Sequence, residues 1–341
     1  METLVSSWSN GQSLPENYVF PPEERPGKFI HPPCKAVPVI DLGKSADHGH
    51  RDDIVQQILK ASQEFGFFQV INHGVAGDLT DAVMSLAKEF FDMPIEDRAG
   101  FYSDDTNKST RLYTSSFGYA KEKVHYWRDS LRHPCHPVND WMQFWPEKPV
   151  GYREVVGRYS VQVEKLGLRI LDLICEGLGL ELGYFGGELT KSQTFLVNHY
   201  PPCPDPSLTL GVPKHSDPNL INILLQGDVH GLQVFKDGQW VGVEPLPNSF
   251  VVNVGLQLQV ISNGKLASVM HRAVTNAANA RTSIVTVIAP SDDCVVEPAK
   301  ALVSSCNPPV YKAFKYNDFH STYIAKAGDP EATLESYRFQ A

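Results

Sequence analysis

Two short segments place an imidazole two residues before a carboxylate: His50-Arg51-Asp52 and His215-Ser216-Asp217. With twelve histidines in 341 residues, such a match can be accidental, so context has to separate the two. His50 lies in a polar stretch entering a helix, where side chains two apart point to different faces. His215 lies at the mouth of a β-rich region. In an extended segment, residues i and i+2 share a side, so His215 and Asp217 can reach one ion. A third ligand is expected from a neighbouring strand, and His271, in Val269-Met270-His271-Arg272-Ala273, is the candidate. Two histidines and one carboxylate on one face suit a non-haem Fe(II) centre with open coordination positions. The same set also suits Zn²⁺. The plainer alternative is that His271 is an ordinary histidine beside Arg272.

Open positions call for a co-ligand. Beyond His271 comes Arg281-Thr282-Ser283. A planar guanidinium fork suits a buried carboxylate, and a serine hydroxyl can add a hydrogen bond. Arg281 and Ser283 stand two apart on a predicted strand and therefore share a face. An Arg-x-Ser alone carries almost no information; beside the metal set it describes a pocket for an ion-chelating dicarboxylate. Upstream, Asn198-His199-Tyr200-Pro201-Pro202-Cys203-Pro204 closes another strand, with Asn198 and Tyr200 on one side. Cys203 between prolines reads as structural.

The elements that must position these groups follow from periodicity. Residues 1–36 are proline-rich and read as an extended arm. Val37–Leu42 and Phe67–Ile71 read as strands, and residues 51–65, 78–92 and 152–180 as helices with apolar positions at three- and four-residue steps. Residues 100–150 are aromatic-rich and give no clear period. From about 192 come eight short β-type runs: Thr194–His199, Leu220–Leu225, Leu232–Phe235, Trp240–Val243, Phe250–Val254, Gln259–Ser262, Arg272–Thr275 and Ser283–Ile288. Asp237-Gly238 and Asn263-Gly264 read as turns between them. The tail, 308–325, reads as helical. This is an α+β arrangement with a mainly β core, a sandwich or jelly roll, preceded by helices. The division expected is an arm over 1–36, a helical cap over 37–190, and a jelly-roll core with a C-terminal helix over 191–341, the cap wrapping the core as one catalytic unit.

Composition narrows the function classes. Net charge is −9, with no basic block of the kind that reads phosphates, so nucleic acid is not an expected partner. No run is long and apolar enough for a spanning helix, and none is expected to meet a membrane. Six widely spaced cysteines read as free thiols in a reducing compartment, the cytoplasm. The expected partner is a small molecule, and the expected state a monomer.

Taken together, the residues resemble the plant 2-oxoglutarate- and Fe(II)-dependent oxygenases of specialised metabolism. The resemblance runs from Val37–Leu42 and Phe65–Gly74, through Asn198–Pro204 and the His215, Asp217, His271 set, to Arg281-x-Ser283. The run Trp145-Pro146-Glu147-Lys148-Pro149 is most similar to the branch that contains hyoscyamine 6-hydroxylase. The resemblance implies a distorted double-stranded β-helix (jelly roll) with surrounding helices. It implies Fe(II) on His215, Asp217 and His271, with Arg281 and Ser283 on the far carboxylate of 2-oxoglutarate. Tyr200 would stand nearby, and Asn198 at the metal end of the cosubstrate. O₂ is the other cosubstrate, and ascorbate the expected reductant. Two departures stand out. Many relatives carry Tyr in place of His199, and many carry Asp where Leu256 follows Asn253-Val254-Gly255; both are expected to bear on substrate shape. Tyr113, Phe117, Leu256, Val287 and Tyr323 are the candidate substrate contacts. The implied activity is hydroxylation of a small plant metabolite, with epoxidation as a conceivable second step. The branch nominates a tropane alkaloid such as hyoscyamine; a flavonoid, phenolic, coumarin precursor or indoleamine are the rivals. A different class would be a non-catalytic jelly-roll binding module with a relic metal site, against which the intact Arg281 and Ser283 argue.

Overall fold

Four strands that precede residue 190 and four that follow it share one sheet, so the change of texture there does not divide the β-structure. The structure is a computed structural model that describes residues 4–9, 13–27, 33–34, 37–45, 47–116, 118–119 and 122–340. In chain order the strands are β1 (Pro33–Cys34), β2 (Val39–Asp41), β3 (Phe67–Ile71), β4 (Arg111–Thr114), β5 (Asp129–Pro134), β6 (Ser192–Tyr200), β7 (Val212–His215), β8 (Ile221–Leu225), β9 (Leu232–Lys236), β10 (Gln239–Val243), β11 (Phe250–Val254), β12 (His271–Ala273), β13 (Arg281–Ala289), β14 (Val295–Val296) and β15 (Phe314–Lys315). The large sheet has the order β2-β3-β11-β8-β13-β6-β5-β4, and a five-stranded sheet has the order β1-β10-β9-β12-β7. β14 and β15 form a separate pair.

Register and alternation assign two faces to the large sheet. Across it, Phe67 pairs with Asn253, Asn253 with Asn222, Asn222 with Val287 and Val287 with Thr194, all on one face. That face meets the smaller sheet. Phe67, Leu224 and Val251 pack in one cluster with Leu232, Val234 and Val243. The opposite face, including Ile284 and Ile288, belongs to the main apolar core with the helix Tyr152–Leu178. A methyl group on Gly167 would sit 2.5 Å from Ile288 Cδ1, so the missing side chain sets how closely this helix lies on the sheet. The result is a distorted double-stranded β-helix, with helices Tyr152–Leu178, Gly77–Asp92 and His48–Glu64 packed behind its large sheet.

Several expectations need correction. Residues Gln259–Ser262 are not a strand; the helix Leu256–Ile261 occupies that stretch. The Leu-x-Leu-x-Val pattern alternates like a strand, but Leu256, Gln257, Leu258, Val260 and Ile261 are all buried, so no alternating exposed face exists. Asn263-Gly264 therefore closes this helix, with both residues at positive φ and Gly264 N–H donating to the Gln259 carbonyl. Asp237-Gly238 does form the expected tight hairpin between β9 and β10. Of the stretch 308–325 only Tyr316–Ala325 is helical, and a second short helix follows at Pro330–Glu335. The unreadable 100–150 segment supplies β4 and β5.

The arm is not simply extended. Val5–Trp8 forms a helical turn whose Val5 and Ser6 N–H groups donate to the two carboxylate oxygens of buried Asp129, at 2.9 and 2.7 Å. Amides without intrahelical partners are thereby satisfied. Nearby, Trp8, Tyr18 and Trp127 pack edge to face.

Two buried histidines make stability pH-dependent. His133 lies between Trp145 and Phe195, with Nδ1 3.0 Å from the Pro134 carbonyl and Nε2 3.0 Å from the Tyr152 hydroxyl. A carbonyl only accepts, so Nδ1 donates and neutral Nε2 accepts from Tyr152. Burial pushes His133 down to about 3. His199 stacks on Phe91 and bonds Thr282; burial and then Arg98 push it down to about 4. Both groups bind protons more weakly in the folded state than their ordinary value of 6.5. Their stabilisation is therefore complete above that value and is lost as pH falls towards 4 and then 3. The urea midpoint is expected to drop between pH 7.5 and pH 5; equal midpoints would refute this.

Candidate active site

His215 ends β7 and His271 begins β12, and these residues face each other across the β7–β12 pair. Asp217 lies just past the end of β7. One donor atom from each of the three residues lies within 4.8 Å of the others. His215 Nε2 is 3.4 Å from Asp217 Oδ1, and His271 Nε2 is 3.4 Å from Asp217 Oδ2. The chemistry of the set is fixed by its supports. His215 Nδ1 lies 2.9 Å from the Pro213 carbonyl and His271 Nδ1 lies 3.2 Å from the Val269 carbonyl. Since a carbonyl only accepts, each Nδ1 carries the proton and each Nε2 presents a lone pair to the common point.

Asp217 is held from the large sheet. Asn222 Nδ2 and Asn253 Nδ2 both donate to its Oδ2, at 2.6 and 2.7 Å. One oxygen thus carries two amide hydrogen bonds, which leaves Oδ1 the better placed to bind a metal. Burial works against the ionised carboxyl, but His271, His215 and the Asn253 amide hold it well below the usual carboxylate range. Burial, followed by the neighbouring His215, pushes His271 down to about 4, so it is neutral at pH 7, the form a metal needs. The ring of Phe67 stands 5.0 Å from that of His271.

The ligand loop is fastened at adjacent residues. Tyr323 O–H donates to the Ser216 carbonyl at 2.8 Å, and Leu256 N–H donates to the Asp217 carbonyl at 2.8 Å. Gly255 permits this approach: a Cβ there would lie 2.0 Å from the Asn219 carbonyl oxygen.

Arg281 and Ser283 lie on β13, opposite Tyr200 and Asn198 of β6, all on the inner face. Arg281 Nη1 is 3.4 Å from Ser283 Oγ, its Nε donates to the Val229 carbonyl at 3.1 Å, and its guanidinium lies 5.1 Å from the centre of the Tyr200 ring. The residue is buried, yet among the described residues no carboxylate pairs with it. A buried guanidinium lacking its anion fits the far carboxylate of a dicarboxylate. Asn198 Oδ1 accepts from Arg128 Nη1 at 3.1 Å and from Ser130 Oγ at 2.9 Å, which leaves its NH₂ as the group to offer an acceptor.

The remaining sequence candidates divide. Val287 stands on the inner face opposite Asn222, and Tyr113 on the same face opposite Ser130. Tyr323 reaches the ligand loop. Leu256 supports Asp217 through its backbone, while its side chain is buried in the main core. His199 stands on the outer face against Phe91 and Thr282, away from the site. Phe117 lies outside the described residues. Asn222, Asn253, Arg128 and Ser130 were not singled out in the sequence, because their parts depend on neighbours far along the chain. The other His-x-Asp is no site: His50 lies in the first turn of its helix and bonds Asp47 at 2.9 Å.

Two imidazoles, one carboxylate and a buried arginine on the inner face of a jelly roll define the donor set of a non-haem iron oxygenase that uses a dicarboxylate. The chain belongs to the 2OG-Fe(II) oxygenase superfamily, whose model matches residues 191–290. The model of the non-haem dioxygenase N-terminal region, named for morphine synthesis, matches residues 37–148. The chain is 45% identical to hyoscyamine 6-dioxygenase of Hyoscyamus niger over 99% of each chain. It is 42% identical to 2'-deoxymugineic-acid 2'-dioxygenase of Hordeum vulgare, over 96% of this chain and 95% of the other. The crystal structure of JOX2 in complex with 2OG, Fe and JA superposes with a TM-score of 0.86 at 34% identity, covering 99% of this chain and 98% of that one. The protein is a dioxygenase, an oxidoreductase that uses Fe(II) and 2-oxoglutarate and acts on a small molecule. Among the described residues no helix is long and apolar enough to cross a membrane.

Proposed function

We propose that His215, Asp217 and His271 hold Fe(II), that Arg281 and Ser283 hold the far carboxylate of 2-oxoglutarate, and that the reaction hydroxylates a small specialised metabolite. The observation that carries this reading is the pairing of a converging three-donor set with a buried, anion-lacking guanidinium on the same inner face. Bound there, iron and 2-oxoglutarate supply oxidative decarboxylation to succinate and CO₂, with one oxygen atom of O₂ passing into a substrate C–H bond. The chain's own groups orient and enclose. The Pro213 and Val269 carbonyls fix the imidazole tautomers, and Asn222 and Asn253 fix the carboxylate. Arg281, supported by Ser283 and the Tyr200 ring, sets the depth and direction of the cosubstrate. Asn198 offers its amide N–H groups to the chelating end.

Similarity favours a tropane alkaloid such as hyoscyamine as the substrate, with a flavonoid, phenolic, coumarin precursor or indoleamine as rivals served by the same chemistry. The relatives carry the names of different substrates at similar identity, so similarity alone does not choose among these. Cys135, Cys175, Cys203, Cys294 and Cys306 are free, which suits a reducing compartment such as the cytoplasm. The test supplies Fe(II), ascorbate and 2-oxoglutarate with a plant metabolite extract. Succinate release and a product heavier by about 16 Da are expected. No succinate from iron-loaded protein with any extract would favour a binding module instead.

A further inference from the structure

Asn198 stands between β5 and β13, opposite Ser130 on one side and Ser283 on the other. Its Oδ1 accepts two hydrogen bonds, from Arg128 Nη1 at 3.1 Å and from Ser130 Oγ at 2.9 Å. The two donors are not equivalent. A hydroxyl donates or accepts, so Ser130 could serve either end of the Asn198 amide. A guanidinium only donates. Turning the amide over would set its NH₂ against Arg128, donor facing donor among buried side chains. Arg128 alone therefore decides that the carbonyl end of Asn198 faces the two donors and that the NH₂ faces away from them. Among the described residues neither N–H of that NH₂ has a partner.

Arg128 is itself held in place. It precedes β5 by one residue, and its side chain lies on the Ser130 side of the sheet. The neighbouring Asp129 carboxylate is taken by the Val5 and Ser6 amides. Among the described residues no carboxylate forms an ion pair with Arg128. Its Nε donates to the Ser115 carbonyl at 2.8 Å. Ser115 is buried with φ 59°, the left-handed region that few residues other than glycine adopt. Several bonds maintain that conformation. Ser115 N–H donates to the Arg128 carbonyl at 2.9 Å, and Tyr126 N–H donates to Ser115 Oγ at 2.7 Å. The hydroxyls of Ser115 and Ser116 both donate to the Glu122 carboxylate. Backbone strain over-determined in this way gathers at functional positions. The Ser115 carbonyl thus clamps Arg128 at Nε and aims Nη1 at Asn198.

We propose that Arg128 is a positioning residue for 2-oxoglutarate, acting through Asn198. It locks the amide in the orientation that offers N–H groups to the chelating end of the cosubstrate. Its charge on Oδ1 also polarises the amide and strengthens those donors. The proposal rests on the iron- and 2-oxoglutarate-dependent reading above and adds a residue to the same site. Its part differs from that of Arg281, which would meet the far carboxylate directly. Without Arg128, Ser130 can accept from the turned amide, and Asn198 then presents a carbonyl oxygen to an anion. Attraction at the chelating end is replaced by repulsion, although no group that contacts the cosubstrate has been removed.

The test uses the full chain loaded with Fe(II) and titrated with 2-oxoglutarate without O₂, read by the visible charge-transfer band of the complex. Arg128→Lys and Arg128→Gln are compared. Both take the guanidinium away from the Ser115 carbonyl. Lysine still only donates, whereas glutamine can donate or accept. The difference between them therefore reports the group that faces Oδ1 and not the packing. Arg128→Lys is expected to bind 2-oxoglutarate within about threefold of wild type, and Arg128→Gln at least about tenfold more weakly. In an Asn198→Ala background the two should bind alike, because the amide they orient is gone. Ser130→Ala leaves Arg128 and its clamp in place and should cost no more than about threefold. Equal affinities for Arg128→Lys and Arg128→Gln overturn the proposal, as does a difference between them that persists with Asn198→Ala. A loss in Ser130→Ala as large as that in Arg128→Gln gives the orienting part to Ser130 and also overturns it. No 2-oxoglutarate-dependent band from iron-loaded wild-type protein sinks the oxygenase reading and the proposal together; a wild-type band with indifferent variants sinks the proposal alone.

Discussion

Replacing His271 with alanine is expected to bring succinate formation down to background, a loss of at least about a thousandfold. The expectation follows from the donor count. His215, Asp217 and His271 supply three donors within 4.8 Å of one another, and the set has no spare among the described residues. Without His271, the ion would rest on one imidazole and on a carboxylate whose Oδ2 already accepts two amide hydrogen bonds. His215→Ala should behave alike. Asn253→Ala tests the supporting layer: Asp217 keeps its charge but loses one of the two amides that orient it, and iron affinity should fall by about 10–100-fold. Iron content, thermal midpoint and succinate have to be measured on the same preparations. Wild-type succinate formation by folded, iron-containing His271→Ala protein would remove His271 from the centre.

How far this centre was legible depended on whether chemistry or topology located each residue. His215 and Asp217 were readable because their spacing in an extended segment puts both on one side. His271 needed only the expectation of an adjacent strand, and β12 does pair with β7 at these two histidines. Arg281 and Ser283 were readable by the same alternation. Asn222 and Asn253 were not, since polar residues within buried strands carry no local sign of which loop will descend onto them. The helix Leu256–Ile261 misled because an apolar-polar alternation can be wholly buried in a helix when neighbours close on every side. The largest loss was in residues 100–150, whose aromatics obscured β4 and β5. Arg111, Arg128 and Arg132 lie at or on these strands, so their place at this edge of the large sheet could not be read from local periodicity. His199 was expected to bear on substrate shape, yet it stands behind the sheet; strand parity, once the register is known, decides that.

Arg281 carries the other large expected effect. Arg281→Met should raise the KM for 2-oxoglutarate by about a hundredfold, since a desolvated ion pair that loses one partner costs about 2–5 kcal/mol. Once the cosubstrate is saturating, kcat should fall much less, because the lost interaction orients the dicarboxylate at its far end rather than at the iron. Arg281→Lys should recover only part, as an ammonium has no planar fork. Ser283→Ala removes a single hydroxyl 3.4 Å from Arg281 Nη1 and should cost about tenfold in KM. An independent check comes from the backbone. A Cβ on Gly231 would lie 2.7 Å from Arg281 Cδ and 2.9 Å from the Val274 carbonyl oxygen. The carbonyl belongs to a paired loop and cannot easily retreat, since Val274 N–H itself donates to the Gly231 carbonyl. The arginine must therefore yield. Gly231→Ala should raise the same KM by about tenfold without removing any group that contacts the cosubstrate. The pair of results separates position from charge. If Arg281→Met leaves the 2-oxoglutarate KM unchanged, the anchor is elsewhere. If Arg281→Met raises it and Gly231→Ala does not, the guanidinium reaches its ligand from a position that Gly231 does not constrain.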